Sequence, residues 1–304
     1  MNRTEARMNR RAVLAAGAGA ALAAAVASGP AHAAPGRRAR VEGRLRALER
    51  AHGARLGAFA YDTGTGLTVA HRADELFPMA SLFKAVAVAA VLRDLDRDGE
   101  VLARRLHYTE RYVRESGFSP VTERPENLAN GMTVAELCDA TLTRSDNTAG
   151  NLLLRELGGP TAVTRFCRSV GDGVTRLDRW EPELNSAEPW RTTDTTSPRA
   201  IGRTYGRLLL GDVLAAPDRE RLTRWMLANK TSNERFRAGL PADWPLADKT
   251  GGGGYGSNND AGVAWPPGRP PVVLAVLTTR FAPDAAADNA LVAEAAALLA
   301  EAVG

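Results

Sequence analysis

Segments of strand character stand at both ends of this 304-residue chain, and helical periodicity fills its middle. That arrangement restricts the fold more than any other feature. Residues 56–61 and 67–71 read as strands, and Asp62-Thr-Gly-Thr-Gly66 between them reads as a turn, so the pair makes a hairpin. Residues 260–265 and 272–279 return to strand character around a Pro266-Pro267-Gly268 turn. Hairpins make antiparallel neighbours, whereas βαβ units would require long crossovers. From Ala80 to about Trp225 the spacing is helical, broken by Gly and Pro, and residues 41–52 and 291–303 are helical at the two ends. The expected fold is α+β: one antiparallel sheet built from both chain ends, flanked by the terminal helices. An all-helical lobe over about 80–225 is expected to face the sheet across a cleft.

The N-terminus reads as a targeting segment. Arg10 and Arg11 precede an Ala-rich apolar run over 12–28, and Ala31-His32-Ala33 follows with a small-x-small pattern. This predicts a signal peptide over residues 1–33, cut after Ala33, and the paired arginines fit a twin-arginine route. A membrane anchor is the competing reading, but the run is short for a span and poor in Leu and Ile. Residues 34–40 are expected as a short mobile leader to a domain spanning 34–304. The chain is thus expected to be secreted and free of the membrane once cut. Its net charge is +4, and four arginines against one glutamate among residues 1–33 account for three of those charges. The remainder is near neutral, which gives no electrostatic case for nucleic acid. Two cysteines are too few for a disulfide scaffold, and the histidines have no paired spacing, so neither metal nor cofactor is expected. No heptad pattern argues against a monomer.

Lysine usage is the first pointer to chemistry. Of 39 basic residues only Lys84, Lys230 and Lys249 are lysines. Arginine keeps its charge, whereas a desolvated lysine can lose its proton and act as a base. Lys230 reads as accident. Lys84 lies three residues after Ser81, ahead of a strongly helical stretch, so the two share one helix face within a turn. The helix N-terminus favours negative charge on the serine oxygen or on an adducted oxyanion.

Ser-x-x-Lys alone is weak, but Ser145-Asp146-Asn147 and Lys249-Thr250-Gly251 follow it in order. The three together resemble the motif set of class A β-lactamases and penicillin-binding proteins. Residues 144–154, residues 176–185 and the C-terminal strands also look like class A sequence, so the resemblance runs from about Val41 to Gly304. It implies a β-lactamase/transpeptidase-like fold and acyl transfer to Ser81. Arg179-Trp-Glu-Pro-Glu-Leu-Asn185 resembles the loop that separates the hydrolases from their penicillin-binding relatives. An acyl-enzyme must be attacked by water, and water needs a positioned base. The resemblance gives that role to Glu181, with Asn185 as a second hold on the water. It makes Glu183 structural and pairs Arg179 with Asp194 at the base of the loop.

The remaining roles follow from the same resemblance. Ser145 would relay a proton to the leaving nitrogen, and Asn147 would hold the amide of the substrate side chain. Lys249 and Thr250 would bind the substrate carboxylate. The N–H groups of Ser81 and Gly252 would form the oxyanion hole, with Gly251 allowing close approach to the strand edge. Where many members carry an arginine after the Lys-Thr-Gly strand, this chain has Asn258, so Arg235 is assigned the carboxylate clamp and Arg237 a surface position. Phe118 falls where members often have an aromatic gate, with an ordinary core aromatic as the alternative.

Two features depart from the pattern. Cys138 matches half of a family disulfide whose partner position is Val88, so that bridge is absent, and a Cys138–Cys167 bridge is disfavoured because both lie in helical segments. The run Gly251–Gly254 is unusually glycine-rich. Its formal G-x-G-x-x-G match is rejected, because turn and strand follow where a dinucleotide site needs a helix. The expected activity is hydrolysis of penicillin- or cephalosporin-type antibiotics. A D,D-peptidase and a non-hydrolytic β-lactam sensor are the alternatives, and Glu181 with Asn185 argues against both.

Overall fold

The computed structural model describes residues 33–303. The expected signal peptide therefore lies, apart from Ala33, outside the described residues. The hairpin strands are β1 (Arg55–Asp62) and β2 (Thr68–His71), and the later strands are β3 (Leu246–Gly252), β4 (Asn258–Ala264) and β5 (Val272–Thr279). They form one antiparallel sheet in the order β2-β1-β5-β4-β3. Both ends of the chain contribute, and β1 pairs with β5 from Arg55↔Thr279 to Asp62↔Val272. Asp62 makes the first turn by accepting from the N–H groups of Gly64 and Thr65 through Oδ1, at 2.8 and 3.2 Å.

The sheet separates two cores. Leu56, Ala58, Ala60, Leu274 and Val276 face helices α1 (Ala33–Ala51) and α9 (Asn289–Val303). Phe59, Val273, Ala275 and Leu277 face the opposite way, toward the helices of the middle of the chain. Every residue of β5 is buried, because this central strand is covered on both faces and so reads as a continuous apolar run. Residues 34–40, expected as a mobile leader, instead belong to α1. Helix is favoured there because Arg38 pairs with Glu42 one turn on at 2.8 Å, while Val41 and Leu45 dock in the sheet core.

The middle of the chain builds α2 (Phe83–Ala90), α3 (Glu110–Ser116), α4 (Val134–Thr143), α5 (Asn147–Glu156), α6 (Thr161–Ser169), α7 (Pro198–Leu210) and α8 (Ala216–Leu227). All eight residues of α2 are buried. Its alanines let neighbours approach from every side, so α2 runs through the centre of the helices. Cys138 in α4 and Cys167 in α6 are buried free thiols. Burial pushes both thiols well above their ordinary range, which keeps them inert. No described helix is long and apolar enough to cross a membrane.

Phe59 joins the sheet to α7. Its ring fills the space beside Gly202, where an added Cβ would stand 2.8 Å from the ring. Phe59→Ala should lower the unfolding free energy by about 3–5 kcal/mol. Urea denaturation should show this as a lower midpoint at unchanged slope.

Candidate active site

Ser81 sits in a short turn, Ala80–Leu82, that runs directly into α2. Ala80 before it has φ +46, a strained value for a residue with a side chain. The edge strand β3 runs close against this turn. A Cβ on Gly251 would lie 2.9 Å from Met79 O and 3.3 Å from the Ala80 Cβ, so only glycine fits there. Ser81 and the Lys-Thr-Gly strand are thereby brought side by side.

Lys84, one turn after Ser81 at the start of α2, is completely buried, and its ammonium reaches three acceptors from two other segments. Nζ donates to Ser145 O at 2.7 Å and to Asn147 Oδ1 at 2.7 Å, and lies 3.0 Å from Glu181 Oε1. The same Glu181 oxygen accepts from Ser81 Oγ at 3.2 Å. The other Glu181 oxygen accepts from Asn185 Nδ2. Ser145, at φ +58, turns its Oγ toward Lys249, whose Nζ donates to it at 2.9 Å. Ser81, Lys84, Ser145, Asn147, Glu181, Asn185 and Lys249 therefore form one connected network.

The segments that carry these groups are themselves anchored. Asp146 caps α5 by accepting from Ala149 N at 2.8 Å, and also accepts from Val121 N, Thr122 N and Thr122 Oγ1. Asn147 N donates to Phe118 O at 2.8 Å, and its Nδ2 donates to Ser116 O at 3.0 Å. The Glu181 loop is closed by Arg179, whose Nε donates to buried Asp194 at 2.6 Å and whose Nη1 donates to Ser186. Glu183 is exposed at the start of a short turn, away from the network.

Lys249, in the middle of β3, is also fully buried. Burial first, and then the charges of Lys84 and Arg235, hold its ammonium well below the ordinary lysine range, against the opposing pull of Asp248 and Asp260. Those two carboxyls are buried behind it, and burial raises both. Thr250 Oγ1 bonds Thr231, Thr231 Oγ1 donates to Asn229 at 2.7 Å, and Asn229 donates to Asp248 at 3.0 Å. Arg235 donates through Nη1 to Gly251 O at 2.9 Å and Asn259 O at 3.0 Å, and through Nε to Asn289 Oδ1 at 3.1 Å. Its Nη2 is 3.8 Å from where a Gly252 Cβ would stand, so the guanidinium lies under the end of β3. Arg237 donates to Ser232, Leu227 and Leu246, and pairs with Asp248 at 3.4 Å. It is partly exposed, as a surface position would be, and also pairs with the buried Asp248. Phe118 is 63% exposed, which overturns the core-aromatic alternative.

One residue of the network was not singled out from the sequence. Asn151 Oδ1 accepts from Glu181 N at 3.0 Å, and its Nδ2 donates to Glu181 O at 2.9 Å. It follows Asn147 by one helical turn on the same face of α5, which is the signal that could have found it. Among the described residues no cluster of His, Cys, Asp or Glu could hold a metal ion.

Comparison with known proteins gives a consistent picture. A family profile described as "Beta-lactamase enzyme family" matches residues 40–303. A β-lactamase of Streptomyces fradiae is 84% identical over 304 residues, covering 100% of this chain and 99% of that protein. One from Streptomyces lavendulae is 70% identical, with both chains fully covered. The solved β-lactamase of Streptomyces albus G superposes with a TM-score of 0.86 at 68% identity, over 87% of this chain and 100% of that one. A variant of a class A β-lactamase of the last common ancestor of Gram-negative bacteria superposes with a TM-score of 0.82 at 51% identity, over 86% of this chain and 98% of that one.

Asp146→Ala removes one helix cap and strands several buried donors. It should destabilise the protein by about 3–5 kcal/mol, measurable by thermal or urea unfolding, with Asp146→Asn less damaging.

Proposed function

The chain belongs to the class A serine β-lactamase family, and on that premise we propose that Ser81 opens the β-lactam ring and Glu181 clears the resulting acyl-enzyme with water. Hydrolysis of β-lactam antibiotics, with the resistance it confers, is the activity of the chain. The division of labour within the site is our reading. One observation carries it: the Glu181 carboxylate is within 3.2 Å of the serine oxygen while Asn185 holds its other oxygen. A D,D-peptidase or a sensor that acylates and stops has no need of such a group.

In acylation, Ser81 Oγ attacks the lactam carbonyl. Lys84 Nζ is held among Ser145 O, Asn147 Oδ1 and Glu181 Oε1, and of these groups it is Glu181 that bonds Ser81 Oγ. Glu181 is thus the acceptor within reach, directly or through a water, and Lys84 stabilises the carboxylate. The carbonyl oxygen takes its developing charge to the N–H groups of Ser81 and Gly252. As the C–N bond breaks, Ser145, bonded to Lys249, gives its proton to the lactam nitrogen and takes one from Lys84, which is reprotonated by Glu181, so the Ser81 proton ends on the nitrogen and Glu181 is again a carboxylate for the water step. Lys249, Thr250 and Arg235 attract the substrate carboxylate. Asn147 takes the side-chain amide, and exposed Phe118 flanks the entry.

In deacylation, water must be held and deprotonated beside the ester carbon. Asn185 Oδ1 is buried and has no hydrogen-bond partner among the described residues. It and Glu181 together offer two acceptors to one water. Export is supported by the Arg10-Arg11 pair, the apolar run and the Ala31-His32-Ala33 site. We read the exported chain as a monomer.

The purified protein should turn over a chromogenic cephalosporin many times. Glu181→Ala should cut turnover by about 10²–10⁴-fold and appear in intact-mass spectra as a covalent adduct. A parent protein that acylates once and stays acylated would overturn the hydrolytic reading. The pH profile tests Lys249. Its proton is held weakly, so as pH rises the charge is lost early and carboxylate binding weakens. kcat/KM should therefore fall along an alkaline limb that begins below the ordinary lysine value of about 10.4. Lys249→Arg keeps its charge and should move that limb upward.

A further inference from the structure

The Gly251–Gly254 run is longer than substrate access to an edge strand requires, and its far end lies on the Glu181 loop. A Cβ on Gly253 would stand 2.7 Å from Asn185 O, and one on Gly254 would stand 2.7 Å from Ser186 O. Bare backbone lets Gly254 N–H donate to Asn185 O at 2.9 Å. One residue of the same turn breaks the pattern. Tyr255 has φ +55, beside Gly256 at φ +59. A bulky residue takes this conformation only under strain, whereas glycine takes it freely. The Tyr255 backbone is held from the far side: its N–H donates to Pro283 O at 3.1 Å, and its O accepts from Arg280 N at 2.7 Å. Its ring meets Trp190 edge-on, with centroids 5.2 Å apart and planes at 83°. Trp190 is 67% exposed, so the pair does not fill a core. What tyrosine adds in place of glycine is this ring contact.

We propose that Tyr255 and Trp190 form an aromatic clasp that positions Asn185 for the water step. The proposal rests on the reading of Glu181 and Asn185 given above. The loop is tied at its base by Arg179 and Asp194, and the Gly254 bond fixes one point near Asn185. Arg179 also holds Ser186, so the loop is fixed at Asn185 and Ser186, and the clasp at Trp190 supplies a further point on the stretch that follows. Glu181 is held separately, by both Asn151 bonds and by Lys84. Losing the clasp therefore displaces Asn185 more than Glu181. Small displacements of a positioning group cost rate steeply. Tyr255 and Trp190 touch no reacting atom, so they are positioning residues, and acylation is spared.

The test compares Tyr255→Gly, Tyr255→Phe, Trp190→Ala and the Tyr255→Gly/Trp190→Ala pair, with a chromogenic cephalosporin and a penicillin. Tyr255→Gly keeps the turn conformation and removes only the ring. The deacylation rate, followed by quenched intact mass, should fall three- to tenfold in Tyr255→Gly and in Trp190→Ala. kcat/KM should stay within twofold, and acyl-enzyme should accumulate during turnover. Tyr255→Phe should restore the parent rate, and the double variant should be no slower than either single one. Parent-like deacylation in Tyr255→Gly, an equal fall in kcat/KM, or additive defects in the double variant would each overturn the clasp. Glu181→Ala run in parallel separates the two ideas. If it holds an adduct while Tyr255→Gly deacylates normally, the clasp alone is refuted. If it holds none, the deacylation reading fails and the clasp's role fails with it.

Discussion

The buried ammonium of Lys84 is the constraint on which the rest of the site depends. A charge with no solvent exposure, in the first turn of the alanine-rich helix α2, is tolerable only when acceptors surround it. The acceptors come from Ser145, Asn147 and Glu181, residues 61 to 97 positions away. Satisfying one lysine therefore draws three chain segments to one place, and these are the segments to which we assign the chemistry. The strain at Ala80 and Ser145 is tolerated because the surrounding bonds hold both residues in position.

A second charge system lies behind the strand edge. Lys249 is buried with two carboxyls behind it and two cations beside it. Burial and the cations loosen its proton, and the carboxyls partly restore it. The Thr250–Thr231–Asn229–Asp248 chain continues this system to the face where a substrate carboxylate would sit. Two buried carboxyls and the cations beside them thus share the space beneath that face. Arg235 enters from beneath the strand, bonded to Gly251 O, Asn259 O and Asn289 Oδ1 and facing the charges of Asp260, Asp248 and Glu234.

Much of the architecture was legible because periodicity reports burial. The 272–279 run matched β5 residue for residue, since a strand covered on both faces has to be apolar throughout. Residues 34–40 were misjudged because their helix depends on the Arg38–Glu42 pair and on docking of the following turn, neither of which composition displays. Asn151 was overlooked because its work is on backbone groups of a distant loop, and an asparagine that binds backbone looks like any other asparagine in sequence. Phe118 stayed ambiguous for a related reason: an aromatic at a rim and one in a core read alike until neighbours are placed.

The sequence by itself determined the chemical inventory. It held three ordered motifs, a glutamate and asparagine four residues apart, two lysines kept where arginine has replaced nearly all the others, and strands at both ends that must close one sheet. These are local properties, written in residue type and spacing. Only the tertiary structure decided which oxygen of Glu181 meets Ser81, which acceptors surround Lys84 Nζ, that Arg237 pairs with Asp248, and that Tyr255 lies against Trp190. Those contacts join residues 11 to 100 positions apart. Their energies fall off within a few ångströms, so no spacing along the chain can specify them.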